Sequence, residues 1–277
     1  MSNQISTESI KAKIRKEAST SKKDFDFLLL HYFIERLLFR LSISPYVNNF
    51  VLKGGILLYT VAVTFDLENI NVERIKEDAD YQGIRIKLTA YLERSRHILQ
   101  FDIGFNDVII PHPVEMIYPT LLDMEPPRLK AYSLESVIAE KFQAIVFLAD
   151  LNSRMKDFYD IYELSRHCDF NGVILSEAIA QTFRNRKTEL SPQPIVFNDD
   201  FPLILDKQIQ WMAFQRRTGI TNIPNDFSSV VLGIKSFLLP VYEALIKKIP
   251  FSDQWKKETG MWSGGGGSRT RVPIREI

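Results

Sequence analysis

Two runs of alternating residues, "IRIKLTAYL" (84–92) and "HILQFDIGF" (97–105), constrain the fold more than anything else in the chain. Ile84, Ile86 and Leu88 alternate with Arg85, Lys87 and Thr89, the period of a strand with one apolar and one polar face. With only "ERSR" between them, the runs read as an antiparallel hairpin whose apolar face is half-buried. Asp102 interrupts the second run. A carboxylate facing a core would need a partner or a metal, since burying it alone costs several kcal/mol. If alternation instead puts Asp102 with Gln100 and Gly104, it faces solvent. Both placements stay open from the residues alone.

Helical patterns surround this hairpin. Phe27, Leu30, Ile34, Leu37, Leu38 and Leu41 recur at three- and four-residue steps, and Pro45 closes that helix. "FVLKGG" (50–55) then reads as a short strand stopped by a glycine pair. Prolines 111, 113, 119, 126 and 127 mark an irregular connection. Ser133 is placed as the N-cap of "LESVIAEKFQAIVFLA", and a second helix, "SRMKDFYDIYELSRH", follows a turn at Asp150–Asn152. The remainder to about Ile249 reads as helical with loop breaks, and no internal repeat occurs. Residues 1–24 are lysine-rich and read as a solvated helix or arm. "SGGGGSRTRVPIREI" (263–277) has flexible-linker composition and is set aside from the fold. The expected organisation is α+β: residues 1–130 as a sheet core with N-terminal helices, 131–262 as a helical region, and 263–277 as a tail.

Composition narrows the function classes. A formal net charge of +1 over 277 residues provides no global field for a polyanion, so such binding would need a local patch. Cys168 is the only cysteine, which excludes an intrachain disulfide and zinc-finger chemistry. The four histidines lack metal spacing, and neither a P-loop nor HExxH is present. No apolar run approaches the roughly 20 residues of a membrane span, and the N-terminus has no signal-peptide core. The expectation is a soluble cytoplasmic protein with no membrane partner.

Three places could carry chemistry. Lys53, Gly54 and Gly55 end a strand ahead of a helix-like run, where backbone N–H groups can approach phosphate closely. Asp66 and Glu68 form an acid–leucine–acid triplet, which reads either as a metal-binding pair or as the polar start of a loop. Asp157 and Asp160 share a helix face, with Lys156 beside them and Lys141 in the preceding helix. Surface charge pairing explains that cluster in isolation, and a snorkelling lysine explains Lys141.

Read in order, "HYFIERLLFRLSISPY", "FVLKGG", "LQFDIGFNDVI", "ESVIAEKFQAI" and "NSRMKDFYDIYELS" resemble the AbiEii/AbiGii toxin family over about residues 25–220. These are nucleotidyltransferase-like proteins of type IV toxin–antitoxin systems within the DNA polymerase β-like superfamily. The resemblance implies a small mixed sheet flanked by helices, followed by a helical C-terminal region. It implies nucleotide transfer from a nucleoside triphosphate to an RNA acceptor, expected to be tRNA, with Mg²⁺, and a cognate AbiEi-type antitoxin as partner. By position, Lys53, Gly54 and Gly55 would hold the triphosphate, and Asp66, Glu68 and Asp102 would hold two metal ions. Lys141 and Lys156 would contact phosphate, and Asp157 and Asp160 would complete the catalytic set. One departure from the family pattern matters. "TVAVTFDLENINVERIKEDADYQG" (60–83) leaves little room for a helix, a turn and a full Asp-x-Asp strand, and Asn69 stands where an apolar residue is expected. The resemblance therefore has two forms: an active enzyme using Asp66 and Glu68, or a non-catalytic nucleotide-, RNA- or partner-binding relative whose acid pair has been deleted.

Overall fold

The structure is a computed structural model that describes residues 7–53, 63–77, 81–105, 107–220 and 223–264. The chain divides into two compact units, residues 1–106 with 113–132, and residues 107–112 with 133–277.

The first unit is a sheet covered on one face by helices. Helix α1 spans Thr7–Ser21 and α2 spans Phe25–Ser42. Asp24 caps α2 by accepting a hydrogen bond from the Phe27 amide at 2.9 Å. The strands are β1 (Thr64–Phe65), β2 (Asn71–Glu77), β3 (Tyr81–Leu92) and β4 (Ser95–Gly104). Strand β3 is central, with β4 along one edge and both β2 and β1 along the other. The expected hairpin is present, and its inward residues Leu88, Ala90, Leu92 and Leu99 are buried with Leu28, Leu29, Tyr32 and Phe33 of α2. A second pair, β5 (Val114–Ile117) and β6 (Arg128–Ala131), is also antiparallel.

Three expectations change here. The sheet is not mixed: every strand pairing among the described residues is antiparallel, and the parallel contact is a single bridge between Leu52 and Ala131. "FVLKGG" therefore supplies one bridged residue before Gly54 and Gly55, which lie outside the described residues. The apolar stripe of α2 is broader than expected: Ile34 and Leu38 are buried as read, with Leu30, Leu37 and Leu41 packed against the core. Phe27 is half exposed, while Leu28, Leu29, Tyr32 and Phe33 are buried. The helix is apolar on more than one side, so packing rather than periodicity selects the buried face.

The second unit is mainly helical. Helices α3 (Leu134–Leu148), α4 (Met155–His167), α5 (Gly172–Asn185), α6 (Leu205–Thr218) and α7 (Phe227–Lys247) pack around one apolar core. Ser133 caps α3 as expected, accepting from the Ser136 amide at 3.2 Å. Helix α7 is long and apolar enough by length and composition to cross a membrane, contrary to the reading of the sequence. Here Phe227, Val230, Ile234, Phe237 and Val241 are core residues of the unit. Gly233 lets α7 approach α4, because a Cβ there would meet the Tyr162 ring at 2.7 Å. A three-stranded antiparallel sheet, β7 (Phe170–Asn171), β8 (Gln254–Lys256) and β9 (Met261–Ser263), was not read from the sequence. It is held by indoles: Trp255 Nε1 donates to the Ser165 carbonyl at 2.6 Å and Trp262 Nε1 to that of Phe237 at 2.8 Å. Ser263 thus ends a strand rather than beginning a tail, and residues 265–277 lie outside the described residues.

Glu35 of α2 is fully buried, accepting from the Leu121 amide at 3.3 Å. Burial pushes its carboxyl up to about 9, against the smaller opposing effects of that hydrogen bond and of Arg36. A folded-state value above the unfolded one means that the unfolded chain releases the proton first as pH rises. Stability linked to this group is therefore highest below about pH 4.5 and declines up to about pH 9. We expect urea unfolding to show wild type losing on the order of several kcal/mol from pH 5 to 9 through this linkage. Glu35→Gln should remove that slope and raise stability at pH 9.

Candidate functional site

Asp102 lies on the open face of the sheet, with Gln100 and Gly104, so alternation decides its placement. Its cross-strand neighbour is Arg85. Arg85 Nε lies 2.8 Å from Oδ1 and its Nη2 lies 2.8 Å from Oδ2, a bidentate pair using both carboxylate oxygens. This guanidinium holds Asp102 below the usual carboxylate range. Beside it, Lys87 Nζ bonds Glu73 Oε1 at 2.9 Å, so two acids and two bases alternate across β2, β3 and β4.

Asp66 follows β1, and its amide donates to the Thr89 carbonyl at 2.9 Å. Its Oδ1 accepts from the amides of Glu68 at 3.2 Å and Asn69 at 3.1 Å, while the Asn69 side-chain nitrogen lies 3.2 and 3.1 Å from its two oxygens. The Asn69 side chain and backbone, with the Glu68 amide, lower its pKa. Asn69, which stands where an apolar residue was expected, thus closes a turn on Asp66. The triplet is the loop reading made concrete: Asp66 caps a bend, Leu67 is exposed, and Glu68 is exposed beyond it.

The register shows that these acids do not meet. Asp66 sits across β3 at Thr89, and Asp102 sits four residues along at Arg85 on the opposite side of β3. At ~3.4 Å per residue and ~4.8 Å per strand, their backbones are about 17 Å apart. Shared ligation of two metal ions ~4 Å apart needs carboxylates that converge. Among the described residues no group of three acids, histidines or cysteines converges as a metal site. Asp66, Glu68 and Asp102 therefore do not fit Mg²⁺ as a shared ligand set. Lys53, the described part of the glycine turn, places its Nζ 5.4 Å from the centre of the Tyr132 ring.

A different cluster does assemble, in the second unit. Lys141 of α3 reaches α4, with Nζ 2.8 Å from Asp157 and 2.7 Å from Asp160. Asp157 is buried; Arg154 Nε lies 2.9 Å from its other oxygen. Lys156 also bonds Asp160, at 2.7 Å, and both it and Arg154 are mostly exposed. The i, i+3 spacing that set Asp157 and Asp160 on one face aims both at Lys141. Burial alone would lower Lys141, but the two carboxylates outweigh it and the net shift is upward. With the folded value above the unfolded one, its stabilisation is complete through neutral pH and is lost only as pH rises through the raised value. Arg85, the partner of Asp102, was missed; strand register was the signal that could have found it.

Because Asp157 is desolvated, removing Lys141 should leave its buried charge to the mostly exposed Arg154 alone. We expect Lys141→Met to cost about 2–4 kcal/mol in urea unfolding. The exposed Lys156→Ala should cost less than ~1 kcal/mol.

A family model described as nucleotidyl transferase AbiEii toxin, type IV TA system, matches residues 60–231, more than half of the chain. The match takes in Asp66, Asp102 and the whole α3–α4 cluster, and it begins beyond Lys53, Gly54 and Gly55. Neither the curated proteins nor the solved structures contain a match. The order of motifs from Asp102 through Lys141 to Asp160 is accounted for by descent: the chain belongs to the AbiEii family of nucleotidyl transferase toxins of type IV toxin–antitoxin systems.

Proposed function

We propose that this chain is a toxin that transfers a nucleotide from a nucleoside triphosphate to an RNA acceptor of the tRNA class, and that an AbiEi-type antitoxin is its cognate partner. Membership of the family supports nucleotide transfer as the chemistry. The observation that carries the role of this chain's own residues is the α3–α4 cluster. Asp157 and Asp160, bridged by Lys141, also form ion pairs with Arg154 and Lys156 at the start of α4, two basic side chains that are mostly exposed. Fixed, solvent-facing cations bind phosphate with little ordering cost, and a helix N-terminus adds to their field. Arg154 and Lys156 are thus assigned to phosphate of the nucleotide or the RNA, and Lys141 with the two acids to positioning them. Magnesium is the cation that such a transfer draws on, and Asp66, Glu68 and Asp102 do not converge as its site.

One observation favours a second reading. Asp102 is engaged by Arg85 through both oxygens, and Asp66 is spent on its own turn. A chain with that arrangement would bind nucleotide or RNA without turning it over. Incubation with labelled nucleoside triphosphates, Mg²⁺ and total tRNA separates the two. We expect label in tRNA, reduced about tenfold or more by Lys156→Ala with its unfolding midpoint unchanged. Calorimetric nucleotide binding without any label transfer would replace transfer by the binding reading.

A further inference from the structure

The surface of the second unit carries one feature that nucleotide transfer does not use. Around the start of α6 lie exposed apolar side chains: Leu151, Ile195, Leu203, Leu205, Ile209 and Met212. Leu151 is 83% exposed and Leu205 is 71% exposed, values far above those of a side chain settled in its own fold. Leu205, Ile209 and Met212 follow the i, i+4, i+7 rule and make one stripe along α6. The 3-10 turn Phe201–Leu203 packs on α6 and brings Leu203 to it, while the turns Ala149–Leu151 and Ile195–Phe197 continue the surface through contacts with one another and with that turn.

The turn bearing Leu151 is fixed in place. Lys207, on the opposite side of α6, is buried and donates to the carbonyls of Asp150 at 2.6 Å and Asn152 at 2.5 Å. A buried ammonium bonded to the carbonyls on both sides of Leu151 holds that residue outward. Its leucine is therefore presented rather than loosely displaced. Contiguous apolar patches of more than a few hundred Å² on a soluble surface mark interaction sites.

The charges flanking the stripe identify the occupant. Asp206 is exposed at the N-terminal end of α6, and Arg216 and Arg217 are exposed at its C-terminal end. Asp206 and Arg216 are ten residues apart, about 15 Å along the helix. A stripe acidic at one end and basic at the other complements itself when two copies run antiparallel about a two-fold axis. Ile209 of one copy then meets Met212 of the other, and Asp206 faces the other copy's Arg216 and Arg217. A parallel arrangement would oppose like charges.

We propose that this face is an isologous homodimer interface, built on antiparallel α6 helices with the Phe201–Leu203 turn beside them. The occupant is a second copy of this chain. The test is sedimentation velocity on the full chain over a wide concentration range. Wild type should sediment as a dimer, and Ile209→Asp as a monomer with an unchanged circular dichroism spectrum. Asp206→Arg alone should weaken the dimer about tenfold or more. Combining it with Arg216→Asp and Arg217→Asp should restore the dimer, which a defect in folding would not do. A monomeric wild type, a dimer that survives Ile209→Asp, or a charge swap that fails to restore association would each overturn the proposal.

Discussion

The register of the β3–β4 hairpin is the constraint on which the first unit depends. Its turn is two residues, Glu93 and Arg94, with Glu93 in the left-handed region at φ 53°. That turn sets Leu92 opposite Ser95 and, by steps of one, Arg85 opposite Asp102. A strand shifted by one residue would turn every side chain to the other face. With this register, Leu88, Ala90 and Leu99 enter the core under α2, while Arg85, Lys87, Gln100 and Asp102 share the open face. The same register spaces Asp66 away from Asp102, because each is anchored to a different part of β3.

Much of this was legible in the residues. Period-two alternation from Ile84 to Phe105 gives the hairpin, and Ser133 gives the start of α3. The pairing of Asp102 was not. A four-residue turn over "ERSR" would set it opposite Lys87, whereas the two-residue turn sets it opposite Arg85; turn length depends on whether Glu93 accepts a positive φ. Helix α2 illustrates another limit, since an apolar sequence on more than one side leaves the buried face to packing. The β7–β8–β9 sheet was hidden for a related reason. Its strands are two or three residues long, below any readable period, and rest on the Trp255 and Trp262 indoles.

The candidate site separates in the same way. Asp157 and Asp160 were legible as a pair because helical spacing fixes their common face, and Lys141 was legible as a cation beside an apolar stripe. That one lysine joins both acids across two helices is a tertiary fact. It converts a surface charge cluster into a partly buried one, where an ion pair is specific and costly to break. Asp66 and Glu68 show the reverse. Acid–leucine–acid would converge on one face of a strand, but Asn69 caps Asp66 into a bend, and a bend does not align residues i and i+2.

On the open sheet face, Arg85 pairs with Asp102 and Lys87 with Glu73, and Asp66 lies apart at the Thr89 end of β3. Titration with Mn²⁺, followed by electron paramagnetic resonance without nucleotide, tests this most directly. We expect wild type and Asp102→Asn to give the same weak, non-saturating response. A saturable site in wild type that is lost in both Asp102→Asn and Asp66→Asn would contradict the separation of these acids.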